Sequence, residues 1–297
     1  GLDGFLLVQF IVALLGIPFG IYLIRSDLST VFNMQWAKRL LAFGYPFIFA
    51  DLAYWIFSST DRWMLATMVS IEETAIYAVA SRFSSIVLFA SVAFGMAWSP
   101  YAIKIKSDRP EDYRVVYAAV LLYLLLIFLV LAGAMSLFAG EIIFLLMPPA
   151  YIASAIPTGI LSFAVVIQVT QQVTGVGISL ERKTAIFAKI AWFVALANVA
   201  ANWFLIPHYG ATGAALGSLF SFCLLSGAYL YFTQRLHPFP FDYMRITLML
   251  ILAAVLLASS IVWVKSSFYW DVIGYKLLLL GLFGVIAISN MTSSNSK

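Results

Sequence analysis

Asp61 and Arg62 stand side by side in a stretch, residues 43–83, that is otherwise apolar enough to lie in lipid; Asp51 precedes them and Arg82 follows. Ionisable groups at membrane depth are costly unless they are paired or wetted, so they mark pathways for ions or polar solutes. The predicted arrangement is a helix entering past Pro46, a polar patch Ser58-Ser59-Thr60-Asp61-Arg62 toward its far end, a turn from Ser70 to Thr74, and a returning helix. Together these would form the wall of a water-filled, charge-lined cavity. If Arg62, Arg82 and Lys189 share that cavity its sign is positive. A positive cavity suits an anion, because guanidinium groups grip phosphate oxygens bidentately and stay charged at physiological pH. Asp51 and Asp61 are candidates for carrying a coupling ion, and as carboxylates they also leave open a cation exporter. Plainer readings stand beside these: Asp61-Arg62 as a pair at the outer interface, Arg82 as an ion-pair partner of Asp51 or Asp61, and Lys189 reaching back toward Arg182 and Lys183 at the membrane edge.

Amides supply the second candidate group. Gln168, Gln171 and Gln172, with Thr170 and Thr174, interrupt a span that is otherwise apolar, and Asn198 with Asn202 interrupts the next. A row of carboxamides is unfavourable against lipid, so that face either lines a cavity, as substrate-binding Gln168, Gln171, Gln172 and Asn198 would, or hydrogen-bonds a neighbouring helix.

Signatures of covalent chemistry do not accompany these residues. The chain has no glycine-rich phosphate loop and no Cys or His pair at metal-ligand spacing. Its two histidines, His208 and His237, each lie beside a proline at an expected helix end, and its one cysteine, Cys223, sits in an apolar run where no intrachain disulfide is possible. Membrane glycosyltransferases and polymerases need a sizeable polar outer loop or an Asp-rich loop for their donor, and neither is present. The expectation is a non-enzyme with no cofactor, no metal and no nucleic-acid partner.

The elements that must hold these groups follow from composition. Hydrophobic residues make up 63% of 297 positions and charged residues 10%, with a mean hydropathy of +1.00; such a chain is a multi-pass membrane protein whose partners include membrane lipids. Its apolar runs are uninterrupted over bilayer-spanning lengths, which excludes the alternating pattern of a β-barrel and predicts an all-α polytopic transmembrane bundle of about nine spans. The expected spans are 4–24, 40–69, 75–99 ending at Pro100, 115–140, 154–179, 184–206, 211–233, 246–264 and about 276–289. Glu72-Glu73 and Glu141 are expected in turns, and the fourth span, apolar on every side, is expected to be a peripheral helix facing lipid. Gly213 to Ser218 is a run of small residues that lets helix backbones approach closely. Twelve basic residues (Arg25, Lys38, Arg39, Lys104, Lys106, Arg109, Arg114, Arg182, Lys183, Arg235, Arg245 and Lys297) fall on one set of alternate connections. The other set holds Lys265, with Arg62 and Lys276 nearer the helices, so the first set is expected in the cytoplasm.

Several motifs taken in order resemble one family. They are Gly44-Tyr45-Pro46 opening a span, Asp61-Arg62 ending its polar patch, Tyr77-Ala78-Val79-Ala80 in the next span and Trp98-Ser99-Pro100 closing it. Leu145 to Tyr151 then precedes the polar span, Asn198 and Asn202 precede Leu205-Ile206-Pro207, and Tyr209 to Gly217 opens a glycine-rich late helix. Across residues 38–231 this order is similar to that of the polysaccharide and O-antigen (Wzx-type) flippases of the multidrug/oligosaccharidyl-lipid/polysaccharide (MOP) exporter superfamily. The resemblance implies two six-helix bundles facing a central cavity. Residues 1–39 would be the last helix of the first bundle and a cytoplasmic linker, residues 40–234 the second bundle, and residues 235–297 two additional helices and a tail, with five preceding helices missing. It implies movement of a polyprenyl-diphosphate-linked oligosaccharide across a bacterial or archaeal cytoplasmic membrane by alternating access. Arg62 and Arg82 would contact the diphosphate or acidic sugars, Asp51 or Asp61 would carry a coupling proton, and a polysaccharide polymerase and a chain-length regulator would be partners. A multidrug exporter of the same superfamily and a membrane glycan polymerase or ligase are the alternatives.

Overall fold

The computed structural model describes residues 2–26, 33–181, 183, 185–262 and 270–292. Those residues are helical almost throughout, with no strand among them, as the composition requires. The helices are α1 (Leu2–Ile24), α2 (Met34–Met68), α3 (Ile71–Asp108), α4 (Tyr113–Leu146), α5 (Ala155–Thr174), α6 (Val176–Leu180), α7 (Ala185–Leu236), α8 (Tyr243–Val262) and α9 (Trp270–Thr292), with a 3-10 turn over Pro149–Ser154 leading into α5. Among the described residues seven helical stretches are long and apolar enough to cross a membrane, against about nine expected spans: α2 is not one of the seven, and the expected spans 184–206 and 211–233 form one continuous stretch; the protein is a multi-pass membrane protein. Arg182, Lys265 and Lys297, which entered the charge count, lie outside the described residues.

The chain divides into two compact units, Gly1–Tyr45 and Pro46–Lys297. The first contains α1, whose 23 residues carry one charge, Asp3. The second contains the candidate chemistry and is built around α5, which packs on α3, α4, α7 and α8. Helices α8 and α9 pack on α4 and on each other, so residues 235–297 form part of this unit.

Helix α7 is a hairpin. Gly210 takes φ 52 and ψ −131, a left-handed conformation that only glycine adopts without strain, and the two halves run back along each other from there. The pairing shows in residues equally far from the break: Asn198 bonds Ser221 at 3.1 Å, and a Cβ on Gly217 would lie 2.0 Å from Asn202 Oδ1. A Cβ on Gly213 would lie 2.3 Å from the carbonyl oxygen of Leu205. The small-residue run expected to permit close backbone approach therefore does so within its own hairpin. Glu73 fastens the tip, its Oε2 accepting the backbone N–H of Ala211 at 2.6 Å.

Three local expectations are corrected. Pro100 does not end α3, which continues to Asp108, because Trp98, Ala102 and Ile105 are buried against α4 and Tyr117 donates to the carbonyl of Ala102 at 2.5 Å. Tertiary packing outweighs the lost backbone bond. Glu72 and Glu73 lie in the first turn of α3, capped by Ser70 Oγ, which accepts from Glu73 N at 3.1 Å, and Glu141 lies inside α4. Helix α4 is not peripheral either: Leu121, Leu124, Leu125, Phe128 and Leu129 are buried, with α3 and α5 on one side and α8 and α9 on others. Tyr123 and Ile127 stay exposed, at 59% and 61%, so α4 keeps an open stripe while its other sides are covered by neighbouring helices.

Candidate functional site

Asp61 lies seven residues, about 10 Å of helix rise, before the end of α2, and it is 2% exposed. Its carboxylate accepts three hydrogen bonds. Tyr77 Oη on α3 donates to Oδ2 at 2.7 Å, Ser218 Oγ on the second half of α7 donates to Oδ2 at 2.9 Å, and Asn202 Nδ2 on the first half donates to Oδ1 at 2.5 Å. The network continues inward: Asn202 Nδ2 also donates to Asn198 Oδ1 at 3.1 Å, Asn198 Nδ2 to Ser221 Oγ at 3.1 Å, and Ser221 Oγ to the carbonyl of Gly217 at 2.7 Å. Asn198, Asn202 and Ser221 are wholly buried. Asn202 Oδ1 has no partner, which leaves one more acceptor within the cluster.

No cation closes this cluster among the described residues. Burying a charge without a counter-charge is expensive, and hydrogen bonds to a carboxylate offset that cost only in part. A carboxyl so placed is suited to gaining and losing a proton or a cation as its surroundings change.

Arg62, the next residue, lines a cavity of about 660 Å³. Arg82 on α3 lines the same cavity with Ser81, Ser84 and Ser85, while Gln168 on α5 and Ser58 on α2 complete its polar wall. Both arginines are exposed within it, and among the described residues neither has an ion-pair partner. The expected pair of Arg82 with Asp51 or Asp61 is thus not formed. The serine hydroxyls are turned to their own helix, Ser81 to Ala78 O at 3.0 Å, Ser84 to Ser81 O at 3.1 Å and Ser85 to Arg82 O at 2.5 Å, which leaves the guanidinium groups as the wall's charged donors. Asp61 also touches this cavity through its Tyr77 and Ser218 side. One helical position thus separates a buried carboxylate from an open guanidinium.

The remaining expected residues divide. Gln171 and Gln172 line a second cavity, about 330 Å³, toward the far ends of α3 and α5, rather than the arginine cavity. Asn198 belongs to the buried Asp61 network. Lys189 and Asp51 are exposed and line neither cavity. Tyr77, Ser218, Ser221 and Asn202 complete the Asp61 cluster and were not singled out as site residues from the sequence. The available signal was spacing: Asn198 with Asn202 and Ser218 with Ser221 put paired polar side chains on one face of each half-hairpin.

Two further polar clusters sit apart. Lys276 on α9 is 1% exposed and donates to Glu141 Oε1 on α4 at 2.6 Å, whereas the sequence pattern had placed Lys276 near a helix end and Glu141 in a turn. Burial holds because each charge neutralises the other. His237, expected as a loop or interfacial residue, is 9% exposed; its Nε2 meets the Tyr113 hydroxyl and its Nδ1 lies 3.2 Å from Glu181 Oε1. Among the described residues His208 bonds the carbonyl of Phe204, at 2.8 Å, and it is exposed. No family model, curated protein or solved structure matches the chain.

Proposed function

We propose that this chain is part of an ion-coupled flippase that moves a phosphate-bearing amphiphile, a polyprenyl-diphosphate-linked oligosaccharide, across the cytoplasmic membrane of a bacterium or archaeon. The observation that carries the reading is the adjacent placement of Asp61 and Arg62: a buried carboxylate held by three donors, bordering a cavity in which, among the described residues, Arg62 and Arg82 have no ion-pair partner. In this reading the two guanidinium groups take the diphosphate, since paired N–H donors match phosphate oxygens. Asp61 takes the coupling proton, and the motif order described above supplies the fold context. No bond of the substrate is made or broken, so no catalytic residue is assigned. Two unpaired cations in the cavity do not suit a cationic drug, which argues against the multidrug alternative.

The test is Arg82→Ala in cells that depend on this protein for capsule or O-antigen export. The expected result is loss of export with the protein still present in the membrane. Unchanged export would remove Arg82 from the site. Export loss accompanied by efflux of cationic dyes in the wild type would favour the multidrug exporter instead.

A further inference from the structure

Asp61 has almost no surface of its own, so the groups that hold it decide how a proton arrives. Those groups divide by position. Tyr77 and Ser218, which donate to Oδ2, line the cavity of Arg62 and Arg82 together with Asp61 itself. Asn202, which donates to Oδ1, and Asn198 and Ser221 behind it do not line it. The division is also chemical. A carboxamide nitrogen donates and does not accept, so Asn202 Nδ2, which serves Asp61 Oδ1 and Asn198 Oδ1, cannot hand on a proton. A hydroxyl gives one hydrogen and keeps acceptor lone pairs, so it can take a proton on one side while it releases its own on the other. The hydroxyls of Tyr77 and Ser218 lie 2.7 and 2.9 Å from Oδ2 and 3.2 Å from each other.

Water belongs on the other side of these hydroxyls, because Arg62 and Arg82 are exposed in the cavity and a guanidinium without a counter-charge must be wetted. The titratable groups lining it are Tyr54, Asp61 and Arg62 from α2 and Tyr77 and Arg82 from α3; α5 and α7 contribute none among the described residues. We propose that the arginine cavity is also the proton's way to Asp61, with Tyr77 and Ser218 as the relay, so that substrate and proton share one entrance. A hydronium ion of the cavity water gives its proton to the hydroxyl oxygen as the hydroxyl's own hydrogen passes to Asp61 Oδ2. One O–H bond breaks and one forms at the hydroxyl, leaving a water, an unchanged hydroxyl and a neutral carboxyl, and release runs in reverse. On the transport reading, on which this inference rests, a phosphate between Arg62 and Arg82 displaces the water that delivers the proton. Asp61 then exchanges protons while the cavity is empty and keeps its charge state while the cavity is full.

The full chain carrying Ser81→Cys, with Cys223→Ser to remove the exposed native thiol, is purified in detergent and then labelled with a bulky maleimide, so that folding precedes the block. Ser81 lines the cavity one turn after Tyr77, and a group on it lies over the preceding turn of α3. Infrared spectroscopy follows hydrogen–deuterium exchange of the protonated Asp61 carboxyl, whose band is identified by its loss in Asp61→Asn. Labelled protein is expected to exchange about tenfold or more slowly than the same protein unlabelled, and saturating inorganic pyrophosphate, its binding measured by calorimetry, to slow the wild type likewise. Tyr77→Phe with Ser218→Ala should slow exchange although the cavity stays open. Exchange indifferent to the label, or a thiol that does not label, overturns the entrance. Exchange indifferent to loss of both hydroxyls overturns the relay. Slowing by the label without pyrophosphate binding sustains the entrance and sinks the arginine reading. Pyrophosphate that binds without slowing exchange leaves the arginine site standing and overturns the shared entrance. Absence at every pH of a band that Asp61→Asn removes takes Asp61 out as proton carrier, and the route with it.

Discussion

Replacing Asp61 separates what its carboxylate does for the fold from what, on the proposed reading, its charge does for transport. In Asp61→Leu three buried donors, Tyr77 Oη, Ser218 Oγ and Asn202 Nδ2, lose their acceptor at once. Tyr77 and Ser218 can still bond each other at 3.2 Å and Asn202 Nδ2 keeps its bond to Asn198, so about two donors are orphaned, and at about 1–3 kcal/mol each the loss is about 2–6 kcal/mol, a large part of the stability of a typical domain. Asp61→Asn behaves differently. Its oxygen can take the place of Oδ2 and keep Tyr77 and Ser218, and its new amide group then faces Asn202. Asn202 can rotate its own amide to present Oδ1, the atom that has no partner in the native arrangement. That rotation takes the donor from the buried Asn198 Oδ1, a cost of about 1–3 kcal/mol. The asparagine variant is therefore expected to accumulate in the membrane and to melt only modestly below wild type in detergent, yet to lose export because it can no longer carry a proton. The leucine variant is expected to fail at the level of folding, with little protein recovered. Export by Asp61→Asn at the wild-type rate would remove Asp61 from coupling. A leucine variant as stable as wild type would refute the network itself.

Two other perturbations follow from the same geometry. Lys276→Met leaves Glu141 charged, buried and unpaired and should destabilise by about 3–5 kcal/mol, whereas the double change Glu141→Leu with Lys276→Met should recover most of that loss in a thermal melt; a double variant as unstable as the single one would show that the 2.6 Å pair is not what matters there. Gly217→Ala would place a methyl 2.0 Å from Asn202 Oδ1, so it should cost about 1–3 kcal/mol by overpacking and reproduce the export defect of Asp61→Asn, while Gly227→Ala, with open space around its Cβ, should do neither in the same assays.

The fold was legible because its signal is long-range and repetitive. Uninterrupted apolar runs specify helices, and a helix covers each of the expected runs, although α3 runs nine residues beyond its expected end and α7 carries two of the runs. The small-residue run from Gly213 and the break before Ala211 announced a tight helix pair. Partnership was less legible. The same apolar surface that would greet lipid can greet another helix, and nothing in α4 itself tells which, so its central place emerged only from α8 and α9 covering it. Lys276 and Glu141 are 135 positions apart, and each alone reads as an edge residue. Pro100 carries a rule about backbone bonds that a buried Trp98 and Ala102 can override.

Within the site, the sequence separated charge from apolar surface but could not assign each charge its direction. Asp61 and Arg62 are neighbours in sequence and so point about 100° apart on a helix of 3.6 residues per turn. That angle sends one toward the α3 and α7 network and the other into open volume. The pair reads as a single interfacial dipole only while the surrounding helices are ignored. Once α3 and the α7 hairpin are in place, Asp61 cannot snorkel, since its oxygens are held by three side chains from two other helices. Arg62 needs no partner from that cluster. A change of charge at Asp61 therefore acts on the packing of α2 against α3 and α7, while a change of occupancy at Arg62 acts on the cavity between α2, α3 and α5. On the proposed reading both would act through the same turn of α2, and a coupled transporter requires that kind of shared element, one whose position both sites can bias.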